Sequence, residues 1–320
     1  MENQGRIDTR RIGDISERVI RHLEKVVVGQ REPLRLLWSS LLTGGHVLVE
    51  GVPGLGKTLM VRALGQVVDA SFARIQFTPD LMPADVTGTK VFDLQSGRFT
   101  FKQGPLFHHL ILADEINRTP PKTQAALLEA MEEGQVTVDG EGKRLPQPFF
   151  VVATQNPIEY EGTYPLPEAQ LDRFSIKLTV DYPGEEEEIA VLREHRMTER
   201  RESRLSPQVG VDEILDCRKM LEGVQVEESV LQYIAGIVRA TRHHPRVMLG
   251  ASPRAGLNLL SLGKAMAAAE GRDYVTPDDV KTVMKPVLRH RVVPNPDVEL
   301  EGLNIDDLIE EITSTVVVPR

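Results

Sequence analysis

Residues 46–68 constrain this chain more than any other stretch. A short apolar run, His46-Val47-Leu48-Val49-Glu50, passes into the glycine-rich Gly51-Val52-Pro53-Gly54-Leu55-Gly56-Lys57-Thr58 and then into Leu59 to Val68 with helical spacing. A buried strand that turns directly into a helix belongs to a parallel sheet covered by helices, since parallel strands need a crossover connection. The turn fits GxxxxGK[ST], where unpaired backbone N–H groups and the positive end of the helix dipole face an anion. Gly51 to Thr58, with Leu59 behind them, are therefore the expected contacts for a nucleotide's phosphates.

The rest of the first half repeats the strand–helix alternation. Strand-like runs fall at 46–50, 72–77, 109–113, 149–154 and 175–180, with helices over 57–68 and 121–133. Helical spacing over 12–27 and 34–42 precedes them. Two hairpins interrupt the plan. One joins Val91-Phe92-Asp93 to Arg98-Phe99-Thr100-Phe101 across Gln95-Ser96-Gly97. The other joins Gln135–Val138 to Lys143–Leu145 across Asp139–Gly142. After Pro183-Gly184 and the acidic run 185–188 the pattern is helical, over 186–198, 211–221, 227–243, 253–270, 277–289 and 304–313. Thr276-Pro277-Asp278-Asp279 is a strong helix start, with a capping Thr and Pro at the first helical position. The expected fold is α/β: an αβα sandwich on a parallel sheet over 1–183, carrying the N-terminal helix and both hairpins, then a small all-helical domain over 184–320.

Charge and cysteine content narrow the setting. A net charge of −9 over 320 residues argues against nucleic-acid phosphates as the main source of binding energy. The single cysteine, Cys217, rules out an intrachain disulfide and suits a reducing compartment. No apolar run approaches the roughly 18 residues of a membrane span, and Met1 to Arg11 lack the apolar core of a signal peptide, so no membrane insertion is expected and the cytoplasm is the expected location.

A second chemical signal lies about half a sheet further on. Leu110-Ile111-Leu112-Ala113-Asp114-Glu115 is a buried strand ending in two carboxylates. Beside a phosphate loop, Asp114 and Thr58 are the residues suited to hold Mg²⁺, and Glu115 the base or orienter for a hydrolytic water. Val151 to Gln155 is another apolar strand, ending at Asn156, whose amide could hold that water. Arg173, after a short helix, and Arg254, at the start of another, offer guanidinium groups of the kind that stabilise a transferring phosphoryl group. As isolated residues both arginines are equally at home in surface ion pairs.

Taken together these segments resemble the AAA+ ATPases, and within them the MoxR family. The resemblance is carried by Gly51–Thr58, Leu112 to Arg118, Ala125 to Met131, Ala153 to Pro157, Leu166 to Phe174, Ser252-Pro253-Arg254 and Val287 to Arg291, in order from about residue 24 to the end. It implies ATP and Mg²⁺, with Lys57 and Thr58 as Walker A, and Asp114 and Glu115 as Walker B. In the same terms Asn156 is sensor 1, Arg254 is sensor 2 brought in from a helical lid, and Arg173 is an arginine finger reaching the neighbouring subunit. Arg118, expected near the same edge, competes for that last role. Val28-Gly29-Gln30 resembles the segment that packs on adenine. The family also implies a homo-oligomeric ring, usually of six subunits, and protein clients such as those with von Willebrand factor type A domains. The first hairpin matches the helix-2 insert of the MoxR, chelatase and minichromosome-maintenance branch.

Two other readings stay open on sequence alone: a nucleic-acid translocase of the related helicase branch, and an ATP-gated scaffold with little turnover. The first would want a basic hairpin tip, whereas the tip is Leu94-Gln95-Ser96-Gly97. His108-His109 and His243-His244 lack partners at metal-ligand spacing, and the arginines of 193–204 are interleaved with glutamates as on a solvated face.

Overall fold

Five strands carry the fold: β1 (His46–Glu50), β2 (Phe72–Gln76), β3 (Leu110–Asp114), β4 (Phe150–Gln155) and β5 (Phe174–Thr179). All pair in parallel, in the order β5-β1-β4-β3-β2. The computed structural model describes residues 9–319 apart from 53, 96, 157–161, 181, 183, 187 and 190–204. The helix expected over 186–198 therefore lies largely outside the described residues, as does Pro53.

The three central strands, β1, β4 and β3, are apolar almost throughout because both of their faces are buried. Val47 and Val49, Leu110 and Leu112, Phe150 and Val152 point into one core; Leu48, Ile111, Ala113, Val151 and Ala153 point into the other. The first core is covered by the helices Thr9–Glu24, Arg31–Thr43 and Lys57–Val67 and continues into the C-terminal helices. The helix Pro121–Glu133 closes the second. Trp38, fully buried between the first two helices, donates Nε1–H to the Ser16 hydroxyl at 2.8 Å.

Among the described residues the C-terminal lid has five longer helices: Val211–Glu222, Glu228–His243, Pro253–Ala269, Pro277–Leu288 and Ile305–Ser314. Thr276 and Asp279 form the reciprocal cap that starts Pro277–Leu288. The lid is not purely helical, since Val247–Leu249 pairs antiparallel with Val293–Pro294. It docks on the core through nitrogen-bearing side chains that meet backbone carbonyls. Arg218 donates to the Leu41 carbonyl at 2.8 and 3.2 Å, and burial pushes its pKa down to about 10. His290 bonds the Phe174 carbonyl, and burial holds its imidazole neutral well below its usual range.

The hairpin strands are Gly88–Asp93 with Arg98–Gln103 and Gln135–Val138 with Glu141–Arg144. The second turn is tighter than the four residues expected. Asp139 and Gly140 both take positive φ (51° and 79°), which lets two residues close the hairpin with a twist that matches its strands. The two hairpins touch, Lys143 lying over the Phe101 ring and Lys90 pairing with Asp139 at 3.4 Å. Phe101 packs on Phe107, whereas Phe99 meets Phe92 edge-on and is 70% exposed.

Candidate functional site

At the C-terminal end of β1 the chain turns through Gly51 to Gly56 into the helix Lys57–Val67. Gly56, at φ 77°, is the residue before the helix, in a backbone conformation that a side chain would strain. Gly51 passes so close to the Val180 carbonyl that a Cβ would sit 2.5 Å from it. These two positions therefore fix the loop's path. Lys57 donates its Nζ to the Gly51 carbonyl across the loop. Gly54, Gly56, Lys57, Thr58 and Leu59 form one wall of a cavity of about 390 Å³; Asp114, Glu115, Thr154, Gln155 and Asn156 form the other. The ends of β1, β3 and β4 meet here because these strands are neighbours in the sheet, although more than a hundred residues separate Glu50 from Asn156.

The two carboxylates are held by residues that the sequence pattern did not single out. Thr154, on β4, donates its hydroxyl to Asp114 Oδ1 at 2.6 Å and accepts the Glu115 N–H at 3.0 Å. Arg74, on β2, donates Nε and Nη2 to Asp114 Oδ2 at 3.1 and 2.7 Å. Gln76 lies opposite Asp114 across the β2–β3 pair and donates Nε2 to Glu115 Oε2 at 2.7 Å. Glu115 itself is left-handed, φ 58° and ψ 49°, a conformation that costs a non-glycine residue about 1–2 kcal/mol. The bond from its N–H to Thr154 offsets part of that cost and aims the side chain back over the cavity wall. Arg118, one turn further on, reaches Glu115 Oε2 at 3.4 Å.

The residues fit ATP and Mg²⁺. Thr58 and Asp114 present hydroxyl and carboxylate oxygens to one cavity, the hard donors that Mg²⁺ takes. Asp114 spends three acceptor bonds on Thr154 and Arg74, and a carboxylate has about four lone-pair sites, so one remains on Oδ1. On the other side of the loop, Gly29 turns with φ 75°, and Gln30 donates Nε2 to the Leu55 carbonyl at 3.4 Å. Gln30 Oε1 is buried with no hydrogen-bond partner among the described residues. An orphaned acceptor beside the phosphate loop is complementary to the exocyclic amino group of adenine.

Arg173 and Arg254 are elsewhere. Arg173 immediately precedes β5, which runs parallel to β1 with His46 opposite Phe174 and Glu50 opposite Thr179. It therefore lies at the N-terminal end of the sheet, one strand length (about 16 Å) from the loop after Glu50. Arg254, in the first turn of Pro253–Ala269, is beside it: both guanidinium groups pair with Glu132, Arg173 Nη2 at 3.0 Å and Arg254 Nη2 at 2.9 Å. The three line a cleft of about 300 Å³ with Gly44, His46, Ser175 and Asn258, and that cleft shares no residue with the phosphate-loop cavity. Arg254, carried by the lid, therefore does not line the phosphate-loop cavity of its own chain. Nor is Arg118 near the edge that carries Arg173; the sheet's length separates them.

The residues before the two arginines interlock as well. Asp172 accepts the Ser252 hydroxyl at 3.0 Å and pairs with Arg291 Nε at 2.7 Å. Arg291 is 1% exposed and further donates to the carbonyls of Asp172, Phe174, Ser175 and Val287. One buried guanidinium therefore fastens the lid to the start of β5, and thereby sets Arg254 against Arg173. Elsewhere, His108 and His109 are engaged by the Pro105 carbonyl and the Ser71 hydroxyl, and no cluster of three metal-ligating side chains of the His, Cys, Asp and Glu type occurs among the described residues. No described helix is long and apolar enough to cross a membrane.

Comparison with known proteins bears on the family and the fold. The ATPase family associated with various cellular activities (AAA) matches residues 46–176, and the AAA lid domain matches 239–312. The chain is 47% identical to YeaC of Bacillus subtilis over 94% of each protein. It is 40% identical to the chaperone MoxR1 of Mycobacterium tuberculosis, over 95% of this chain and 82% of the relative. The crystal structure of a candidate ATPase from Cytophaga hutchinsonii superposes with a TM-score of 0.90 at 42% identity, covering 98% of this chain and 97% of the other.

Proposed function

The chain belongs to the MoxR family of AAA+ ATPases, and from that premise we propose that it is a Mg²⁺-dependent ATP hydrolase that works as a ring, six copies by family resemblance, to remodel or mature partner proteins. The backbone N–H groups of 51, 52 and 54–56, with Lys57, bind the triphosphate. Thr58 and Asp114 would hold Mg²⁺, which would supply positive charge to offset that of the phosphates. Glu115 takes the proton of the attacking water while Gln76 and Thr154 keep its carboxylate and backbone in place; Asn156 orients that water. Val28, Gly29 and Gln30 receive the adenine. Arg173 and Arg254 serve the nucleotide of a neighbouring copy and there stabilise charge on the transferring phosphoryl group.

One observation carries this reading: the residues for binding and proton transfer share one cavity, while the two arginines suited to phosphoryl transfer lie together at the far end of the sheet. A pocket of this composition is completed only by a second subunit. Protein clients are favoured over nucleic acid by the first hairpin, whose tip exposes Leu94 (88%) and Phe99 (70%) with Phe92 beside them. Clients with von Willebrand factor type A domains are carried over from the family alone.

Mixing two inactive variants tests the shared pocket. Lys57→Ala destroys a chain's own pocket but spares its arginines; Arg173→Ala does the reverse. Each alone is expected to release almost no phosphate, and a mixture to recover activity because Lys57→Ala subunits supply an intact Arg173 to the good pockets. A mixture as inactive as its components contradicts the reading.

A further inference from the structure

Arg173 and Arg254 come from segments more than eighty residues apart, yet both end on a single carboxylate. Glu132 stands in the last turn of Pro121–Glu133 and divides its two oxygens between them, Oε1 to Arg254 and Oε2 to Arg173. Among the described residues it is the sole acid lining this cleft. The other nearby carboxylate, Asp172, is already committed to Arg291 and Ser252. Hydrogen bonding from Arg254, together with the charge of Arg173, holds the Glu132 carboxyl below its usual range.

A half-exposed ion pair of this kind adds little to stability. Its consequence is geometric. Two guanidinium groups repel at short range, and an anion between them is what lets them converge. Each uses one terminal nitrogen on Glu132, and a guanidinium has five N–H donors in a fixed fork. Among the described residues no other side chain accepts from either, which leaves both forks with donors for a further anion.

We propose that Glu132 is a positioning residue that gathers Arg173 and Arg254 into one unit, so that the chain presents both to a single phosphate group on a neighbouring copy. Glu132 itself touches neither nucleotide nor water. The inference rests on the reading that the two arginines act across a subunit boundary and adds what makes them act together. Without the carboxylate the two side chains splay apart, and a displacement of about an ångström at a catalytic group can cost a hundredfold in rate.

The test measures Glu132→Ala and Glu132→Gln in the full-length chain. Both are expected to lower kcat at least about tenfold with KM for ATP and thermal stability unchanged, a split that a merely structural residue would not give. Because the fault lies in what the subunit offers its neighbour, Glu132→Ala mixed with Lys57→Ala should recover activity, as Arg173→Ala does. If Arg173→Ala is rescued but Glu132→Ala is not, or if either Glu132 variant turns over at or above the wild-type rate, the positioning role is wrong while the shared pocket stands. If Arg173→Ala itself is not rescued, the shared pocket fails first. A loss of melting temperature together with a raised KM also overturns the proposal.

Discussion

Glu115→Gln is expected to lower ATP turnover by about 10²–10⁴-fold, the usual contribution of a positioned general base, and to leave nucleotide binding intact. An amide is isosteric with the carboxylate and can still accept from Gln76, whose Nε2 is 2.7 Å from Glu115 Oε2. The backbone bond from Glu115 N–H to Thr154, 3.0 Å, does not involve the side chain at all. The left-handed turn at residue 115 and the neighbouring Asp114 are therefore undisturbed. What disappears is the proton acceptor. Phosphate release under saturating ATP, with affinity followed by calorimetry, separates the two effects. A variant that binds and turns over like wild type would remove Glu115 from the chemistry; one that cannot bind would show that its carboxylate shapes the pocket instead.

The second large effect concerns the joint between lid and core. Asp172→Ala takes from Arg291, a guanidinium that is 1% exposed, the one carboxylate that pairs with it among the described residues. Stranding a buried charge in this way costs about 3–5 kcal/mol. Carbonyls of Phe174, Ser175, Val287 and residue 172 continue to accept from Arg291, which points to the lower end of that range. Asp172→Asn keeps a neutral acceptor for Ser252 and Arg291 and is expected to lose less. Denaturant unfolding of the three proteins measures the order wild type, Asn, Ala. A loss below about 1 kcal/mol for Asp172→Ala would mean that Arg291 finds compensation from water or from the surviving carbonyls.

Much of this architecture is written locally. The strand–loop–helix of 46–67 and the buried Leu110–Asp114 are visible in consecutive residues, because a parallel strand covered on both faces must be apolar throughout. The groups that tune the carboxylates are not visible in this way. Arg74 and Gln76 reach Asp114 and Glu115 only because β2 pairs with β3 in the register Gln76–Asp114, and Thr154 arrives from the other neighbour, β4. Nothing in the spacing of those residues announces it. The same holds for Glu132, one of several glutamates on an amphipathic helix until the fold sets it between Arg173 and Arg254. Arg118 was harder still, since its direction depends on the left-handed turn at Glu115, an uncommon conformation for a residue with a side chain. The register of a parallel sheet and the docking of the lid are long-range facts, and motif spacing carries neither.

The central claim is that one chain binds ATP and activates water but borrows its arginines. Phosphate release per subunit, measured across a dilution series in which assembly is followed in parallel, tests this most directly. Activity per subunit is expected to climb with assembly and to fall away as the chain becomes monomeric, with ATP still bound. Activity per subunit that is constant down to the monomer, or absent at every concentration, would contradict it.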